Sequence, residues 1–253
     1  MRQDERTPFV AALERARTAA YPPGEYVGQE SFMCAGEIRR LARQAAIGPG
    51  VSVLDLCCGV AGPGRLITAE TGCSYLGLDS SQDALEIARS LAGDLPCRFA
   101  LAHLPPLPDE HFQVVLLLET LLAFADKRAL LDEVGRVVEP GGRFACTVEA
   151  GRLLDTGERS RMPDAETVFP IELPELTALM RDAGLVVTWQ QDWSASHREA
   201  AIALLASFRI HSAEISRGIG RRALDELVAA HRLWSEWLGA GRVRKFVLVA
   251  ERR

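Results

Sequence analysis

The stretch Val51–Gly64, VSVLDLCCGVAGPG, constrains the fold more than any other part of the chain. Its first half places β-branched and aliphatic residues, Val51, Val53 and Leu54, ahead of an acid, Asp55, as a short buried strand would. A loop of small residues follows, Cys57-Cys58-Gly59-Val60-Ala61-Gly62. Pro63 then suits the first turn of a helix, where its missing N–H would have no intrahelical partner anyway. Strand, glycine-bearing turn and helix in immediate succession form the first half of a βαβ unit. The N–H groups of such a turn, backed by the helix dipole, make a seat for an anionic or strongly polar ligand group.

The second half follows at once. Cys73–Asp79 reads as a strand ending in an acid, and Ser80 is expected to cap a helix over Gln82–Ala92. Asp79 lies 20 residues beyond Gly59, about where a doubly wound fold needs a carboxylate to accept the two hydroxyls of a ribose. The ligand is therefore expected to be an adenosine derivative. Further strands are read at Cys97–Leu101, at the apolar run Phe112–Leu118, at Arg143–Val148 after the tight turn Glu139-Pro-Gly-Gly, at Leu185–Gln190 and at Val243–Ala250. Helices are read at Thr7–Ala20, about Ser31–Ala46, Leu173–Ala183 with Gly184 as its stop, from beyond Trp193 to about Ala213, and Arg221–Leu238. The expected fold is α/β: a doubly wound, Rossmann-like sheet of seven mostly parallel strands with an antiparallel last strand. Residues 1–50 would be N-terminal lid helices and 51–253 the core, with cap or lid insertions at about 151–170 and 193–240.

A dinucleotide fold would show G-x-G-x-x-G, and Gly59, Ala61 and Gly64 match it only in part. The loop more closely resembles the acid-x-G-x-G-x-G motif of class I S-adenosylmethionine-dependent methyltransferases, with Asp55 as the acid, Gly59 in place, and Cys57 and Ala61 at the first and third glycine positions. The form D-L-C-C-G resembles the small-molecule enzymes of the ubiquinone and menaquinone type. The segment from strand four to strand five, including the P-G-G turn, resembles sarcosine, tocopherol and sugar O-methyltransferases. The resemblance implies S-adenosylmethionine as cofactor and S-adenosylhomocysteine as product. It implies a cofactor site made by Asp55, Cys57, Gly59, Ala61, Gly62, Asp79, Ser80, Ala102, His103 and Glu119. Ala61 fits the turn if its φ is negative. The family's aspartates after strand three and at strand four are replaced by Leu101 and Gln113, so adenine would be read by backbone groups near Ala102 and His103. N-terminal helices of such enzymes fold over the cofactor; Tyr21, Tyr26 and Gln29 would then contact ligand, or the tyrosines would only anchor the lid. Trp193 is a further candidate substrate contact.

Methyl transfer from a sulfonium needs alignment above all, and a base only where the acceptor must lose a proton. Glu119 and His197 are the leading catalytic candidates, ahead of His103 and His211, although Glu119 could instead cap the next helix or pair with an arginine. Trp234 and Trp237, at helical spacing, read as cap packing. Arg217, Arg221, Arg222, Arg242, Arg244 and Lys245 read as a solvated basic face.

The partner expected is a small-molecule substrate. A net charge of −5 over 253 residues, with L-E-T-L where adenine-methylating enzymes carry [DN]-P-P-[FYW], argues against nucleic acid. The polar start MRQDERTPFV and the lack of a long apolar run argue against a signal peptide or a membrane span, so the expected location is cytoplasmic. Six cysteines without CxxC or Cys/His spacing suggest reduced thiols and no metal. A homodimer is left open. The alternatives are an NAD(P)-dependent oxidoreductase and a non-catalytic relative acting as a binding or structural protein.

Overall fold

The structure, a computed structural model, describes residues 8–253, with side chains from Ala11 onward. Thr7, the expected start of the first helix, and the polar segment before it lie outside the described residues. The chain begins with α1 (Pro8–Ala20), a turn over residues 21–34, and α2 (Ala35–Gln44). The doubly wound part follows as β1 (Ser52–Leu56), α3 (Gly62–Thr71), β2 (Ser74–Asp79), α4 (Gln82–Ala92), β3 (Cys97–Leu101), β4 (Phe112–Leu117), α5 (Lys127–Val137) and β5 (Val138–Ala150). Next come α6 (Thr156–Arg161), α7 (Leu173–Asp182), β6 (Leu185–Asp192), α8 (Ser194–Ile210), α9 (Ser212–Ile219), α10 (Arg221–Gly239) and β7 (Arg244–Arg252).

The seven strands form one sheet in the order β3-β2-β1-β4-β5-β7-β6. Each pairing from β3 across to β5 is parallel, and β7 runs antiparallel to both β5 and β6. Its two faces follow the period-2 alternation of strand side chains. Leu54, Val115 and Leu117 pack with Leu130, Val134 and Met180 of α5 and α7. Val53, Val114 and Leu116 pack on the other face with Ile38, Leu41 and Ile67 of α2 and α3. A separate apolar cluster joins α1 to α8, α9 and α10 through Leu13, Ala16, Leu204, Phe208, Ile215 and Leu224. Residues far apart in sequence thus build one cover.

Several boundaries differ from expectation for local reasons. Ser81, not Ser80, caps α4: its Oγ accepts the N–H of Ala84 at 3.2 Å. α2 begins at Ala35 rather than Ser31, because the buried amide of Gln29 ties the preceding turn together. It accepts the N–H of Val27 and donates to the carbonyls of Glu25 and Met33. β5 is longer than expected at both ends. The P-G-G turn lies inside it as an irregularity, with Phe112 opposite Val138 but Val114 opposite Arg143. The helix expected to run to Ala213 breaks at His211 into α8 and α9.

Candidate active site

The loop between β1 and α3 is turned by three left-handed residues, Cys57, Gly59 and Ala61, with φ of +57°, +54° and +56°. The negative φ expected of Ala61 is not found. The position keeps the glycine conformation although an alanine fills it, at a cost of about 1 kcal/mol. The Ala61 N–H donates to the carbonyl of Cys58 at 2.8 Å, and the Ala61 carbonyl accepts the N–H of Arg65 at 2.9 Å, so helix and loop both require this geometry. Gly62 lies hard against the Val27–Gln29 turn: a Cβ there would stand 2.5 Å from the carbonyl carbon of Gly28. The N-terminal turn therefore touches the loop directly.

Asp79, at the end of β2, is half-buried and braces this loop. One carboxylate oxygen accepts the N–H of Gly59 and the other that of Ser81, both at 2.8 Å. Each oxygen keeps further acceptor capacity. Asp55 sits beneath, 4% exposed, accepting the hydroxyl of Tyr75 at 2.6 Å. Burial pushes its carboxyl up to about 7, with the Tyr75 bond opposing. Asp55 therefore supports the loop from within the sheet. Ser80 and His103 are exposed near this edge, and the N–H of Ala102 is spent on the carbonyl of Asp79 at 2.9 Å. Leu101 pairs with Asp79 in the sheet and is 52% exposed. Gln113, by contrast, is at the opposite end of the strands, exchanging hydrogen bonds with Ser52. Its replacement of an aspartate leaves this edge untouched.

Two residues past β4, Glu119 holds a left-handed backbone, φ +62°, and its N–H donates to Thr147 Oγ1 at 2.6 Å. Its carboxylate lies 2.7 Å from Lys245 Nζ and 3.8 Å from His197 Nδ1. His197 Nε2 is 3.3 Å from Glu37 on α2, and Lys245 also pairs with Glu149, directly across from it on β5. Burial raises the pKa of Glu119, but Lys245, and then His197, more than offset it, so the carboxyl lies below its ordinary range. Burial likewise lowers Lys245, and the two glutamates overcome it and raise the ammonium above its ordinary value. Lys245, expected on a solvated face, is 2% exposed. Strand alternation sends Arg244 outward and Lys245 inward. Arg242 is also drawn in, against Glu158 at 2.6 Å.

Glu119 and Glu149 form the floor of a cavity of about 320 Å³, walled by Tyr21, Phe32, Leu204, His231 and Trp234, with Arg17 and Glu30 also lining it. Trp234, read from its helical spacing as cap packing, lines the cavity. Gln29 lines it too, but its amide is fully committed to the turn. Tyr21 donates its hydroxyl to the carbonyl of Ser31 at 2.6 Å. Tyr26 is turned to Glu14, and Trp193 is buried, stacked on His197 with ring centres 6.0 Å apart. Neither Tyr26, Trp193 nor His197 is among the lining residues. A second hollow, about 150 Å³, lies at the other end of the strands near Val51, Gln113 and Gly142. Glu37, Glu149, Thr147 and Lys245 were not singled out from sequence as site residues. The available signal was a polar residue at alternate positions of otherwise apolar strands, Thr147 and Glu149 in β5 and Lys245 in β7.

This sheet order and loop define a class I methyltransferase fold, and comparison with known proteins agrees. Residues 54–146 match the methyltransferase domain family. Methyltransferase GfsG of Streptomyces halstedii is 30% identical over 182 residues, 68% of this chain and 66% of that protein, just under two thirds of its length. The 27-O-demethylrifamycin SV methyltransferase of Amycolatopsis mediterranei is 28% identical over 76% of this chain and 71% of its own. Among solved structures, the cyclopropane synthase MmaA2 of Mycobacterium tuberculosis superposes with a TM-score of 0.83, at 12% identity, over 98% of this chain and 95% of that one. Residues 54–146 are thus a methyltransferase domain, and the class I methyltransferase fold extends over nearly the whole chain. The residues present fit that family's cofactor, S-adenosylmethionine: Asp79 offers carboxylate oxygens for a ribose, and the space above Gly59 is open, with nothing within 4 Å of a Cβ built there.

Proposed function

We propose that this chain transfers the methyl group of S-adenosylmethionine to a small-molecule acceptor held in the cavity beneath α1, α8 and α10. The observation that carries the reading is a juxtaposition. Glu119 lines the cavity, and it extends from β4, the strand paired with β1, whose loop carries the family motif. The cofactor supplies an electrophilic methyl group on a positively charged sulfur. Asp79 would accept the ribose hydroxyls, and the left-handed backbone at Gly59 would let the ligand approach the main chain. Glu119, kept ionised by Lys245, would orient an acceptor O–H or N–H. A carboxylate held below its ordinary pKa is a poor base, so its share lies in alignment rather than proton removal. His197 would position Glu119 through its place between Glu119 and Glu37, as a supporting residue instead of the base. Tyr21, Phe32 and the cap helices would keep water from the acceptor. The proposed setting is the cytoplasm, where the six free thiols would remain reduced.

Glu119→Gln tests this reading by S-adenosylhomocysteine release against an acceptor panel. Turnover should fall roughly 10- to 100-fold, more than affinity for S-adenosylhomocysteine falls. An unchanged rate would return Glu119 to a structural role.

A further inference from the structure

At the cavity floor two carboxylates share one paired ammonium group. Lys245 serves two buried carboxylates, Glu119 and Glu149, so this trio sums to one negative charge. Glu37 and His197 adjoin it, and the buried ammonium of Lys127, whose charge reaches Glu149, donates to the carbonyls of Phe124 and Phe169 instead of pairing with that carboxylate. At the opposite wall Arg17 and Glu30 cancel each other at 2.7 Å, and burial takes His231 down to about 4, so it is uncharged near neutrality. Glu149 is 8% exposed and lines the cavity, yet its Oε2 is buried with no hydrogen-bond donor among the described residues. An ionised oxygen in that state is costly unless something in the cavity satisfies it. The same cavity is lined by the rings of Tyr21, Phe32 and Trp234, surfaces that attract a cation as well as an apolar body.

We infer that the acceptor molecule carries a protonated amine, which docks on the Glu149 carboxylate in the aromatic-lined cavity. The amine is the handle by which the molecule is held; it need not be the atom that receives the methyl group. A neutral hydroxyl could donate one bond to Glu149 but would bring no charge to meet the carboxylate, and an acceptor's own carboxylate would be repelled by it. The inference rests on reading this cavity as the acceptor site.

Three probes of similar shape test it on the full chain by calorimetric titration: phenethylamine, 2-phenylethanol and 3-phenylpropanoate, with and without S-adenosylhomocysteine. Phenethylamine should bind at least about tenfold more tightly than 2-phenylethanol, with 3-phenylpropanoate the weakest. Glu149→Gln should bring the amine down to the level of the alcohol. Equal or better binding of the alcohol or acid, no binding of the amine, or a folded Gln variant that still prefers the amine would overturn the proposal. The ranking on the unmodified chain needs no variant, so a misfolded substitution leaves the test intact. The nucleoside titration separates the two readings. If S-adenosylhomocysteine binds and the amine preference is absent, only the amine handle fails. If the preference holds and the nucleoside does not bind, the transferase reading fails instead.

Discussion

Ala61 and Glu119 adopt left-handed backbone conformations without being glycine, and both stand just beyond the carboxyl ends of neighbouring parallel strands, β1 and β4. At Ala61 the strain comes from keeping a turn whose neighbours, Gly62 against Gly28 and the first bond of α3, allow no other path. Ala61→Gly should therefore raise stability by about 1 kcal/mol, some 2–4 °C in the unfolding midpoint; a lower midpoint would show that the turn is not strained there. Asp55 gives a second residue-level test. Burial holds it protonated to about pH 7, against 3.8 for an exposed carboxyl. The folded chain thus binds the extra proton between those values, and this contribution to stability is full below about pH 4 and lost as pH rises through about 7. Asp55→Asn, which can still accept from Tyr75, should be more stable than the unmodified chain by about 2–4 kcal/mol at pH 8, the gap closing toward pH 4. A gap independent of pH would mean that Asp55 is ionised in the fold.

Among the elements, the segment between β5 and α7 is held more firmly than a polar loop would be. Leu154, Met162 and Val168 pack on Leu233 and Trp237 of α10, and Glu158 binds Arg242 while completing a capping box with Asp155. Arg242 leads in drawing Glu158 down to about 2 from 4.5. The pair's contribution is present above about pH 4.5 and is lost as pH falls toward 2, so Glu158→Gln should cost about 1–3 kcal/mol at pH 7. Urea titrations of both proteins should show the difference shrinking below pH 4; a constant difference would assign the loss to the cap alone. Sequence revealed β1 to β4 well, because apolar runs bounded by small residues admit few other readings. It did not reveal the full length of β5, since Glu139–Gly142 has the chemistry of a turn and pairing resumes only beyond it. Nor did it separate Lys245 from Arg242 and Arg244, because a run of basic residues looks uniform until strand alternation is imposed on it. Ser80 and Ser81 are interchangeable by composition, and only the reach of Oγ to Ala84 distinguishes them.

For the molecule as a whole, the sheet order gathers what the sequence scatters: the loop at residues 57–62, Glu119, Glu149, His197 and Lys245 meet along one side of one sheet. The motif loop and the carboxylate of Asp79 that braces it were legible because they are local. The cavity was not, because its walls come from α1, the 21–34 turn, α8 and α10, and its floor from the ends of β4 and β5. No helix among the described residues is long and apolar enough to cross a membrane. The central claim is that the β1–α3 loop and Asp79 hold a sulfur nucleoside, and thermal unfolding with S-adenosylhomocysteine or NAD added separately tests it most directly. At 100 times its dissociation constant, S-adenosylhomocysteine should stabilise the fold by about 2.7 kcal/mol and raise the midpoint by roughly 5–10 °C, with NAD leaving it unmoved. A rise with NAD alone, or with neither, would contradict the account.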